Sequence, residues 1–180
     1  MSLRPGRTCR TLEKKAWARF SKKKPRKSFV KALPHLNLNV YNMGLISEKY
    51  EMQYDLTATG DIQLRDNALE ASRQSANKFL EKSLLNQYSF KVRVYPHNVI
   101  RENRMIAGAG ADMLQKGMRQ AFGRPTSRAA RITKGQEVFT VKTMIANRPL
   151  VIEAFRRAKL KLGSGFCIIE TKLKPSKINN

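Results

Sequence analysis

Gly108 and Gly110 lie between a run that reads as a strand and one that reads as a helix, where a glycine-rich turn can seat a dinucleotide phosphate. The pattern fails on spacing. Its third glycine would fall on Met113, and the stretch from Tyr95 to Gly108 is too long for a tight strand-to-helix turn. No GxxxxGK followed by Ser or Thr occurs anywhere, which removes a nucleotide-binding P-loop. Glu102 and Asp112 are close enough in sequence to suggest paired acids, but each has a plainer role. Asp112 can cap the helix that follows, and Glu102 can offset a neighbouring arginine. Cys9, Cys167, His35 and His97 are scattered without metal-ligand spacing, so neither a zinc site nor a disulfide framework is expected. Cys9 reads as part of a basic arm and Cys167 as a small core residue in the run GFCII. An enzymatic role is therefore not expected, nor a cofactor, a metal or a small-molecule substrate.

Charge gives a different chemistry. The 180 residues carry 36 Lys/Arg against 13 Asp/Glu, a net charge of +23, while 41% hydrophobic residues suffice for a folded core. Such an excess repels itself in a compact state and is offset when phosphates release their counterions to it. Residues 1–31 hold twelve Lys/Arg and one acid; 32–90 hold five and seven; 91–134 hold ten and two; 135–180 hold nine and three. A nearly neutral segment thus sits between basic ones. No run approaches the roughly 18 apolar residues of a membrane span. The basic N-terminus also lacks the apolar stretch of a signal peptide.

The densest stretch, Arg101 to Arg131, has six Arg and one Lys around the small tract Ala107, Gly108, Ala109, Gly110 and Ala111. Arginine offers a planar fork to phosphate and a flat face to bases, and small residues let a backbone come close to a nucleic-acid backbone. A mobile basic loop is expected at about 97–111. The candidate RNA contacts here are Arg101, Arg104, Lys116, Arg119, Arg124, Arg128 and Arg131, joined by Arg93 on the preceding strand. In the first segment they are Arg4, Arg7, Arg10, Lys22, Lys23, Lys24 and Arg26, with Trp17 and Phe20 interleaved to stack on bases or dock on the domain.

The elements that must position these groups follow from periodicity. Leu36–Met43, Tyr50–Leu56 and Ser89–Tyr95 alternate as half-buried strands, the last with Phe90, Val92 and Val94 on one side and Lys91 and Arg93 on the other. Asp66 is placed to cap a helix to about Leu85, with Leu69, Ala76, Leu80 and Leu84 as its apolar stripe. No strong period runs from His97 to Gly110. A short helix is expected around 111–121, stopped by Gly123 and Pro125, and strands at RAARI and QEVFTVKTMI. Pro149 opens a helix to about Leu162, whose buried stripe is Val151, Ala154, Phe155, Ala158 and Leu162. Gly163 and Gly165 break it before a last strand, FCIIETKL. The mixture predicts an α+β fold with a mainly antiparallel sheet and two longer helices. The domain plan is a basic extension at 1–34, one RNA-binding domain at 35–174 and a short tail at 175–180.

The motifs FKVRVYPHNVIREN, AGADMLQKGMRQAFGRP, AARITKGQEVFTVKT and VIEAFRRAKLKL, with RPGRTCR and ALEASRQSANKFL, occur in an order and spacing specific to one family. They resemble the archaeal and eukaryotic large-subunit ribosomal protein family L-ten-e, whose bacterial counterpart is L-sixteen. The resemblance implies a hammerhead-like α+β fold and an architectural place in the cytoplasmic large ribosomal subunit. It implies large-subunit rRNA, tRNA and neighbouring ribosomal proteins as partners, with the loop matching about 101–111 directed at tRNA near the peptidyl-transferase region. Gly108 departs from the Cys or Ser that relatives often carry there, which should loosen the loop without changing its charge. Of the other classes, a free-standing regulatory RNA-binding protein is the main alternative, though no aromatic RNA-recognition strand is visible. A membrane-surface protein would need a broader apolar helix face than 149–162 provides.

Overall fold

The computed structural model describes residues 3–12, 30, 32–47, 49–85, 87–103, 108–110, 113, 123–163 and 165–173. Among the described residues eight strands form two antiparallel sheets. The larger has the order β1-β4-β7-β2-β8, built from β1 (Asn42–Gly44), β2 (Met52–Ala58), β4 (Ser89–Val92), β7 (Glu137–Thr143) and β8 (Phe166–Lys172). The smaller has the order β3-β6-β5, from β3 (Ile62–Arg65), β5 (Asn98–Glu102) and β6 (Arg124–Ile132). Two helices, α1 (Asp66–Leu84) and α2 (Arg148–Leu162), lie against each other. The α+β class expected from the sequence is the one observed.

One core serves both sheets and both helices. The predicted stripes are buried in full: Leu69, Ala76, Leu80 and Leu84 on α1, and Val151, Ala154, Phe155, Ala158 and Leu162 on α2. Register aligns Tyr54 with Val141 and Leu56 with Phe139, and Phe90 with Val141 and Val92 with Phe139. These side chains join the helix stripes in one apolar cluster that also takes in Leu64, Ala130 and Ile132 of the smaller sheet. Phe90 meets Phe139 edge-on at 5.3 Å between centroids, the geometry that ring quadrupoles favour.

Several local expectations are corrected. Of the predicted strand 36–43 only Asn42 and Met43 pair as a strand, within β1 and against β4. Leu38 is buried as the alternation requires, but the Asn37 N–H and Nδ2 both donate to the Asp66 carboxylate, so that backbone docks on α1 instead of on a neighbour strand. Asp66 is accordingly the first residue of α1, with Arg65 at the N-cap. Its carboxylate also accepts the Asn67 N–H, a negative charge placed where the helix dipole favours it. Residues 98–102, read as part of an aperiodic loop, form β5. Asn98, Val99 and Ile100 are all buried, one polar face included, and a bulge between Ile100 and Arg101 interrupts the pairing, so no two-residue period survives. Pro125 sits opposite Arg101 at that bulge, where a missing N–H is tolerated. Cys167 is exposed, not core. It lies on an edge strand covered on one face, so Phe166 and Ile168 point inward while Cys167 and Ile169 point out.

Candidate nucleic-acid interface

The smaller sheet is amphipathic by alternation. Ile62, Leu64, Ala130 and Ile132 pair across β3 and β6 and face the core, which sends Gln63, Arg65 and Arg131 to the other side. That second face is polar yet largely buried, because residues 4–12 lie across it. Arg65 donates from Nη1 to the Arg4 carbonyl and from Nε to Cys9 Sγ at 3.1 Å. Gln63 donates from Nε2 to the Cys9 carbonyl and from its backbone N–H to the Arg10 carbonyl, each at 2.7 Å. Asn98 Nδ2 donates to Gln63 Oε1, and Arg131 Nη2 to the Leu12 carbonyl at 2.9 Å. The Gln63–Arg10 bond closes the outer edge of β3, which would otherwise be open.

The segment is thus held by its carbonyls, while the side chains of Arg4, Arg7 and Arg10 are exposed. Arg10 rests on the end of α2. A Cβ at Gly163 (φ +92°) would lie 2.9 Å from its Nη2, so glycine there permits a cation to approach the negative end of the helix. Arg4 reaches the opposite side and pairs with Glu102 at 3.5 Å.

Glu102 and Arg124 are cross-strand partners at the neck of the segment between β5 and β6. Gly123 has φ +66°, and a Cβ there would stand 2.7 Å from the Glu102 carbonyl carbon. The two strands of the neck are therefore in backbone contact, with Arg101 and Arg124 exposed on either side. Gly108, Ala109 and Gly110 are described and exposed, and Met113 N–H donates to the Gly110 carbonyl. Ala107, Arg104, Lys116, Arg119, the expected helix at 111–121 apart from Met113, its cap Asp112, and Trp17, Phe20, Lys22, Lys23, Lys24 and Arg26 lie outside the described residues.

The structure brings Arg4, Arg101 and Arg124 to one neck and aligns Arg128 and Arg131 along β6. Arg128 donates from Nε to the Pro34 carbonyl at 2.8 Å. Arg93 stands apart, on the larger sheet, 3.1 Å from Glu137. Sequence reading passed over Arg65, Gln63 and Asn98, although the alternation of IQLR already sets Gln63 and Arg65 opposite two apolar residues. It also passed over an aromatic run in which Tyr41 stacks on Tyr95 at 5.8 Å and Tyr95 meets His97 at 4.5 Å. Desolvation pushes the Tyr41 hydroxyl up to about 12, with Tyr95 adding to the shift, and desolvation lowers His97 below its usual value.

The outer face of α2 carries Arg156 and Arg157, both bonded to Glu153, whose carboxyl they hold down at about 2. Arg148 forms a forked pair with Glu170 at 2.8–3.0 Å. Among the described residues no three His, Cys, Asp or Glu side chains converge to hold a metal, and no helix is long and apolar enough to cross a membrane.

The family model described as ribosomal protein L16p/L10e matches residues 18–169. Large ribosomal subunit protein uL16 of Methanococcus maripaludis strain S2 is 40% identical over 173 residues, 96% of each chain. The protein of the same name from Staphylothermus marinus is 42% identical over 83% of this chain and 87% of its own. That from Archaeoglobus fulgidus is 34% identical over 87% and 90%.

Proposed function

Because the chain belongs to the ribosomal protein L16p/L10e family, we propose that it binds large-subunit rRNA through its basic segments and helps to position tRNA near the peptidyl-transferase region. Membership makes it a structural constituent of the cytoplasmic large ribosomal subunit and not an enzyme. The finer roles are argued from the fold. The observation that carries them is the neck between β5 and β6, where a rigid sheet presents Arg101 and Arg124 beside Arg4. A fixed base under a cation-rich segment suits a polyanion better than a small ligand.

In this reading rRNA meets Arg4, Arg7, Arg10, Lys22, Lys23, Lys24 and Arg26 of the N-terminal extension. It also meets Arg93, Lys116, Arg119, Arg124, Arg128 and Arg131. Arg101 and Arg104 face tRNA, with Ala107–Gly110 as the closely approaching tract. The division into an extension at 1–34, a domain at 35–174 and a tail at 175–180 belongs to the same proposal, with residues 4–12 serving as a docked foot of the extension.

The test is binding of the full chain to large-subunit rRNA across a salt series. If six to ten phosphates are contacted, affinity falls roughly 10³–10⁵-fold between about 50 and 200 mM salt. Arg7→Ala with Arg124→Ala should reduce the salt slope by roughly two contacts. Affinity insensitive to salt would defeat the proposal. For tRNA, subunits carrying Arg101→Ala should assemble normally and bind tRNA more weakly; unimpaired tRNA binding would remove that role.

A further inference from the structure

We infer that Tyr95 and His97 form a stacking site for an unpaired nucleobase. The inference rests on the RNA-binding reading above and adds a subsite to it. From Phe90 to His97 burial alternates without a break. Phe90, Val92, Val94 and Pro96 are buried, while Lys91, Arg93, Tyr95 and His97 are exposed. The alternation outlasts β4, which ends at Val92, because Arg93 N–H still donates to the Val138 carbonyl and Pro96 still faces inward. The same stretch therefore delivers two cations and then two rings to the surface.

The rings are organised. Tyr95 stacks on Tyr41 with an interplanar angle of 19°, and His97 leans on Tyr95 at 46°. His97 N–H donates to the Tyr95 carbonyl at 2.9 Å, a tight turn across Pro96 that holds the two side chains together. Tyr41 anchors the inner end: its hydroxyl is buried and has no hydrogen-bond partner among the described residues. The outer end is open, with Tyr95 41% exposed and His97 exposed.

The open end of this aromatic ladder offers a π-face on which a flat group can stack. Its charged neighbours decide which one. Lys91 and Arg93 precede the rings, and Arg128 lies close enough to Tyr41 to act on its hydroxyl. Glu137, paired with Arg93, offsets one of these charges; Asp66 and Glu70 also act on Tyr41 from its inner side, Glu70 being bonded to Arg73. An apolar protein surface would leave those cations desolvated, whereas a nucleobase brings its own phosphate. Every base offers a π-face, so stacking here is tolerant of sequence but requires a base that is not already stacked in a duplex.

The experiment compares the full chain with a single-stranded oligoribonucleotide carrying a fluorescent aminopurine and with the same strand in a duplex. His97→Ala should weaken single-strand binding by roughly five- to a hundredfold and relieve the aminopurine quench. Duplex affinity and the salt slope should stay unchanged, since no phosphate contact is lost. His97→Phe, which keeps a ring, should restore both affinity and quench. If the native chain binds both RNAs and His97→Ala changes neither single-strand affinity nor quench, the stacking site is refuted while the RNA-binding reading stands. Equal loss on single strand and duplex would also refute it. Failure of the native chain to bind either RNA would refute both readings.

Discussion

Gly123→Ala separates what the glycines of the basic stretch do for the fold from what they do for a ligand. At Gly123 the backbone is left-handed, φ +66°, which costs an L-residue roughly 1–2 kcal/mol. The new methyl would also stand 2.7–2.8 Å from the Glu102 carbonyl carbon, the Glu102 oxygen and the Asn103 nitrogen. These are backbone atoms and cannot rotate aside, so the neck must part. Parting removes the Glu102–Arg124 step of the β5–β6 ladder, about 1–2 kcal/mol if one or two hydrogen bonds go. The sum is about 2–4 kcal/mol, or a Tm lower by roughly 5–15 °C for a chain of this size. Gly108→Ala is the control: nothing lies within 4 Å of its Cβ position, and its φ is not positive. That change should leave Tm unaltered or slightly raised, since alanine restricts the unfolded chain. If the small tract is there for close approach to RNA, Gly108→Ala should weaken RNA binding at constant Tm. Thermal melts and salt-series binding on the two variants read both effects. Equal Tm for Gly123→Ala and the native chain would show that the neck is not held closed by that contact.

Arg65→Met should cost about 2–4 kcal/mol in urea unfolding and expose residues 4–12 to proteases, because a buried guanidinium bonded to the Arg4 carbonyl and Cys9 Sγ is lost. A change within about 0.5 kcal/mol would mean the segment docks without it. Glu70→Gln should flatten the acid side of the stability curve. Arg73 holds the Glu70 carboxyl below its ordinary range, so its contribution is present above the unfolded value, roughly pH 4.3, and is lost as pH falls through the folded one. An unchanged acid limb in pH-dependent urea melts would contradict this. Replacing residues 104–122 by a short Gly-Ser linker should leave Tm close to native, since Asn103 and Gly123 are already in contact and a shorter loop closes at little entropic cost. Large subunits containing it should assemble and then bind tRNA poorly; an unfolded variant would show that the segment is structural. The cut must begin after Asn103, because removing Arg101 and Glu102 would also remove the end of β5 and the partner of Arg4.

The helices were legible because their burial is one-sided and regular. Each stripe residue read at spacings of three or four is buried, and the alternation of Phe90, Val92 and Val94 survives in β4 and just beyond it. What escaped the sequence escaped for identifiable reasons. β5 is covered on both faces and bulged, so its buried residues run consecutively and leave no period. Cys167 looked like core because FCII is a continuous apolar run, and only the topology makes β8 an edge strand. The docking of residues 4–12 was invisible for a third reason. Most of its bonds run from Gln63, Arg65 and Arg131 to main-chain carbonyls, and a carbonyl has no letter in the sequence. The Tyr95–His97 pair straddles the end of the predicted strand Ser89–Tyr95, with Pro96 between the two rings, so strand periodicity covers only one of them.

The same distinction explains how so basic a chain keeps a compact domain. Among the described residues five of the thirteen acids are held in pairs with arginine. Glu70 is bonded to Arg73, Glu102 to Arg4, Glu137 to Arg93, Glu153 to Arg156 and Arg157, and Glu170 to Arg148. Only the Glu70–Arg73 pair is well shielded from water. Exposed pairs of this kind each contribute about 0–1 kcal/mol, so they orient arginines more than they hold the fold. Cohesion comes from the shared apolar core, and the net charge of +23 is left for a partner to neutralise. Fixing an arginine does not exclude it from that partner, because a guanidinium has five donors and can bond a carbonyl or carboxylate while offering its remaining edge to phosphate. Arg128, held at Nε by the Pro34 carbonyl, is arranged in this way: its orientation is set by the protein before any RNA arrives, which lowers the ordering cost of the contact it would make.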